Sequence, residues 1–164
     1  MAETSPKSQE LARELETATA GLLAALESCS AEQWRADVPN EARSVGTMAH
    51  HIAAAAPMVA NWAEQIAAGA TPPITLEMVH AGNAQHAAEF PNPDKAATLD
   101  LLRSNTAIAA GIVRGFSEEQ LARSVPMEMF GGQPVSAQML IEIVLIGHIR
   151  GQSHSHLPNI EAAL

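Results

Sequence analysis

The chain of 164 residues has one cysteine, no tyrosine and only 3% aromatic residues. A lone cysteine, Cys29, excludes an intrachain disulfide. Its place near the end of a helical segment reads as a small apolar residue, with a reactive thiol as the alternative. The scarcity of aromatics leaves Ala, Leu, Ile and Met to build the core, which favours helices over a β-sandwich. Cations are also few: 9 Lys and Arg stand against 18 Asp and Glu, for a formal net charge of −9. Without clustered Lys and Arg the chain has no grip on nucleic acid or on an anionic membrane surface. No apolar run approaches the roughly 18 residues of a spanning helix. The opening MAETSPKSQELARE lacks the apolar core of a secretory leader, so the expected compartment is the cytoplasm. The chain also lacks HExxH, CxxC, GxSxG and a Walker loop.

What is present is helical. Hydrophobic residues make up 47% of the chain and charged residues 16%, a globular composition expected to form one domain over residues 1–164. Leu11, Leu15, Ala18, Leu22 and Leu26 form one stripe of a helix from about Ser8 to Cys29. Ser30 with Gln33 is a capping-box pattern that opens a short turn carrying Trp34. A second long helix is predicted from about Val45 to Ala68, with Met48, Ile52, Ala55, Val59, Trp62 and Ile66 as its stripe and Gly69 as its stop. The alanine-rich HIAAAAP within it points to close helix packing. TPPIT breaks the chain, and ITLEMVHAGNAQHAAEF, residues 74–90, then reads as a shorter polar helix or an irregular crossover. A third long helix spans about Lys95 to Arg114, with Leu101, Leu102, Asn105, Ile108 and Ile112 on one side and Gly115 at its end. Ser117 and Gln120 repeat the capping box, Gly131-Gly132 favours a small hairpin, and Ser136 caps a last long helix over about 137–163. The fold class that follows is all-α: a four-helix bundle with a long crossover between the second and third long helices, short extra helices and a small hairpin before the last helix. Such a crossover makes two neighbouring helices parallel rather than alternating.

The chemistry rests on histidine, the commonest metal ligand. HIRGQSHSHLPNI holds His148, His154 and His156 within nine residues. On a regular helix His148, Gln152 and His156 share the face of Leu145, and His154 lies about 160° from His156, so it points away. His148 and His156 stand about 12 Å apart along the axis, too far to share one ion. Gln152 lies one turn from each, where a two-histidine site would carry its second imidazole. In the second helix His51 lies about 60° from Met48 and faces inward, while His50 lies about 160° away and faces outward. His80 and His86 read as surface residues, with a substrate-pocket rim as the alternative. Glu142 and Glu161 qualify as general bases only by residue type.

SVGTMAHHIA, residues 44–53, resembles the second-helix motif of DinB-like (YfiT-like) metalloenzymes, in which a Ser-Val lead-in runs to a metal-ligating histidine. QSHSHLPNIEAAL resembles the family's HxxxHLxQI ending, with Gln152 on the first histidine and His156 on the second. Sliding the motif by four residues puts His148 on the first and Gln152 on the second. The resemblance implies a DinB-type bundle and a site of His51, Gln152 and His156, or of His51, His148 and Gln152, binding nickel or zinc. It also implies a homodimer acting on a small molecule, with a low-molecular-weight thiol such as mycothiol or bacillithiol in the transferase members and hydrolysis in others. Gln152 departs from the family's three histidines. That departure gives the second reading, a non-catalytic bundle with a degenerate site that serves ligand binding or a dimeric structural role.

Overall fold

Each long helix begins where a side chain can accept the backbone N–H groups that a first turn leaves unpaired. The computed structural model describes residues 4–39, 41–150 and 156–164, except the side chains of 156–159. Ser5 caps α1 (Pro6–Ser28), Ser44 caps α3 (Val45–Ala67), Thr75 caps α4 (Leu76–Glu89) and Asp94 caps α5 (Lys95–Arg114). Ser30 and Gln33 form the predicted capping box on α2 (Ala31–Arg35), and Ser117 and Gln120 form the other on α6 (Glu118–Ala122). Gly115 ends α5 as expected, but in right-handed geometry, with φ −74°.

The antiparallel hairpin pairs β1 (Ser124–Met127) with β2 (Gln133–Ser136), Val125 opposite Val135. Between them Gly131 and Gly132 take positive φ, 68° and 75°, which an L side chain would resist. Ser136 then caps α7 (Ala137–Leu140). The helix expected to run unbroken over 137–163 differs from that reading. Residues Ile141–Ile146 form a π-helical segment, followed by α8 (Gly147–Arg150), and α9 covers His156–Ala163. The N–H of Gly147 bonds the carbonyl of Glu142, five residues back. A Cβ on Gly147 would stand only 3.1 Å from that oxygen, so glycine suits the widened turn. The segment's β-branched residues, Ile141, Ile143, Val144 and Ile146, also have limited rotamer freedom in a tight α-helix.

Helix direction follows from the ties between elements. Ser8 and Gln9 near the start of α1 bond the Arg114 carbonyl at the end of α5, while Lys95 at the start of α5 reaches the Cys29 carbonyl. These two helices are antiparallel. Thr47 near the start of α3 bonds the Phe90 carbonyl just before α5, and Asn105 midway along α5 bonds Ala53. α3 and α5 are thus the parallel pair that the crossover required, with α4 as the crossover. Arg150 pairs with Glu14 and Lys7 with Glu142, so the C-terminal helical stretch runs parallel to α1.

α5 packs against both α1 and α3, and α7, the π segment and α8 complete the ring. Cys29 is buried at the end of α1, as a small apolar residue would be. A stripe of alanines on α3, Ala49, Ala53, Ala56, Ala60, Ala63 and Ala67, is buried. The stripe on α5 departs from the expected one: Leu99, Leu102, Thr106, Ala109, Ala110 and Val113 are buried, and Ile108 is 54% exposed. Small residues let α3 and α5 approach closely, so the contact follows the alanines rather than the largest side chains. Pro57 lies inside α3 and has no N–H for the Ala53 carbonyl. Asn105 Nδ2 donates to that carbonyl instead, at 2.9 Å. Among the described residues no helix is long and apolar enough to cross a membrane.

Candidate functional site

His50 and His51 are consecutive on α3 and serve different neighbours. His51 lines a cavity with Ile52, Ala55 and Val59 of its own helix and with Val144, Leu145 and His148 of the C-terminal stretch. The cavity measures about 20 Å³ and its wall is almost wholly apolar. That volume holds a water or a single ion, not a drug-sized molecule. His51 thus takes the inward position read from the helical wheel, and His148 meets it from the face of Leu145. Gln152 and His154 lie outside the described residues. His156 opens α9, which packs against α8 and α3.

His50 does not face solvent. It is half-buried against α4, where its ring stacks on Phe90 with centroids 4.0 Å apart. Its Nδ1 lies 2.8 Å from His86 Nε2 in a hydrogen bond. His86 is therefore not a free surface residue: its ring also meets His51 edge-on at 5.3 Å. Burial lowers the His50 imidazole below its ordinary value, against an opposing pull from Glu89. Burial lowers His86 too, joined by the nearby charges of His50 and Arg43 and again opposed by Glu89. Both rings therefore favour the neutral form near neutral pH. His80 is exposed, as expected.

Sequence reasoning missed this α3–α4 contact because no residue of α4 is buried, so the helix carries no apolar stripe to read. The available signal was the spacing of His86 and Phe90, four residues apart on one helical face. Hydroxyls secure the same corner: Thr47 Oγ1 donates to the carbonyls of Phe90 at 2.9 Å and Pro91 at 3.2 Å.

Of the two candidate bases, Glu142 lies elsewhere. It accepts from Gln138 at 3.0 Å and lines a separate cleft of about 270 Å³ with Glu14 and Arg150. Glu161 is exposed on α9. Neither lines the His51 cavity.

Imidazole nitrogens in a cavity of one-ion size match the donor chemistry of nickel or zinc. Among the described residues, however, no group of three or more His, Cys, Asp or Glu is arranged to hold a metal. The described donors thus fit such an ion in kind but supply only part of a coordination shell.

No curated protein matches the chain, and neither does any solved structure. Residues 14–148, from within α1 to His148, match the DinB superfamily, and the chain belongs to it.

Proposed function

We propose that this chain is a metal-dependent enzyme, of the thiol-transferase or hydrolase type, with a nickel or zinc site between α3 and the C-terminal helical stretch. His51 supplies one imidazole. The remaining protein donors are Gln152 and His156 or, in the other register, His148 and Gln152. The observation that carries the reading is the cavity that His51 and His148 share. A divalent ion there would act as a Lewis acid and lower the pKa of a water or a thiol. The apolar lining lowers the local dielectric and so strengthens electrostatic interactions at the site. The resemblance that implies nickel or zinc also implies a homodimer, which light scattering on the purified protein tests.

Elemental analysis after nickel or zinc loading tests the site. Stoichiometric metal in the wild type, lost in His51→Ala, is the expected outcome. His148→Ala and His156→Ala separate the two registers, because only the true ligand should abolish loading. A wild type that takes up neither metal would sink the proposal in favour of the degenerate site, and loading of Gln152→His would then identify Gln152 as the reason.

A further inference from the structure

The corner where the end of α4 meets the start of α3 contains two buried polar atoms with no hydrogen-bond partner among the described residues: Arg43 Nη1 and His86 Nδ1. Arg43 directly precedes Ser44, the cap of α3, and Ser44 and Thr47 tie that first turn to Phe90 and Pro91. His86 lies one turn before Phe90, on the same side of α4. Both groups are held in place. Arg43 Nη2 is fixed by Glu41 at 3.0 Å, which leaves Nη1 as the end of the guanidinium without a partner among the described residues. His86 Nε2 is engaged by His50 Nδ1 at 2.8 Å. When His50 donates in that bond, His86 carries its proton on Nδ1. Nη1 and Nδ1 are then both donors, and among the described residues neither meets an acceptor.

We propose that Arg43 and His86 form a carboxylate-binding pair beside the His51 cavity, and that the small molecule acted on at that site carries a carboxylate. Assigning this ligand as the substrate rests on the function proposed above; the binding pair itself does not. A carboxylate offers one oxygen to each donor, and its single negative charge is complemented by the guanidinium. Glu89 lies close enough to act on both His50 and His86, and Glu41 already pairs with Arg43. These carboxylates oppose a dianion such as phosphate more strongly than a monocarboxylate. The edge-on contact of His86 with His51 places the imidazole of the pair next to the candidate metal ligand.

The probe is sodium acetate, titrated into metal-stripped, isotope-labelled protein, with sodium chloride at matched ionic strength as the control. The His86 ring nitrogens and the backbone amides of Ser44 to His51 are followed by NMR. The expected result is a saturable response to acetate alone, weakened about tenfold in Arg43→Met and in His86→Phe by loss of a charge-assisted or neutral donor. His86→Phe keeps a ring against Phe90 and decides the matter if Arg43→Met does not fold. A wild type silent to acetate overturns the proposal, as does an equal response in the folded variants. A water that stays on His86 Nδ1 at the highest acetate concentration also overturns it, because that corner would then hold an ordered water only. The acetate response should persist in His51→Ala. Failure to load metal therefore overturns the proposed enzyme and leaves the pair standing, whereas silence to acetate removes the pair and leaves the metal site untouched.

Discussion

Gly46 packs its α-carbon against the indole of Trp34. A Cβ there would fall 2.5 Å from Trp34 Nε1 and 2.6 Å from Cε2, inside van der Waals contact. The indole cannot easily yield, because Nε1 donates to the Pro93 carbonyl at 2.9 Å. Gly46→Ala should therefore destabilise the fold by about 1–3 kcal/mol, the usual cost of overpacking. The measurement is a shift in the urea midpoint at unchanged slope. The histidines of the α3–α4 contact make a second prediction at this scale. Both His50 and His86 are lowered from 6.5 in the folded chain. The unfolded chain then binds more protons than the folded one as pH falls below 6.5, so this contribution is present above that value and is lost as pH falls through the folded pKa values. Urea midpoints compared at about pH 8 and about pH 5 should fall on acidification, and His86→Phe should flatten that fall.

At the scale of one element, α3 continues through Pro57 because α5 supplies what proline removes. Asn105→Ala would leave the Ala53 carbonyl without a donor, at a cost of about 1–3 kcal/mol. Pro57→Ala restores an N–H four residues on, so the loss should be smaller in the double variant. A double-mutant cycle measures that coupling, and strict additivity would show that the two residues act independently. The π segment makes a different prediction. Removing the exposed Ile143 would let Ile141–Ile146 close into an α-helix and turn one side of the segment by about 100° relative to the other. His148 and the core-facing residues of α7 could then no longer both keep their places. If the proposed metal site is correct, metal loading should fall while the helical circular dichroism is largely retained.

At the scale of the whole molecule, the close approach of α3 and α5 depends on small side chains. Ala60 is fully buried, and Ala60→Leu should cost about 1–3 kcal/mol by forcing the helices apart. Thermal melting checks this, and an unchanged midpoint would mean that the alanine stripe tolerates volume. The same stripe marks the limit of reading periodicity. Ile108 scores as core by hydrophobicity, yet it is exposed because Ala109 and Ala110 occupy the contact. Alanine contributes little to an apolar pattern but decides how closely two helices can approach.

Helix starts, both capping boxes, the hairpin at Gly131-Gly132 and the need for a crossover were legible in the sequence. Each depends on bonds among residues a few positions apart, or on a connection length that the chain itself states. The inward turn of His51 was legible for the same reason, since it lies on a regular stretch of helix. Tertiary structure alone decided the partners of the histidines. His50 and His86 meet because Thr47 and Phe90 bring α4 onto α3, and His148 meets His51 across a helix whose π segment breaks the uniform 100° step. Contacts between residues 36 to 97 positions apart arise only when separate elements pack, and no local periodicity encodes them.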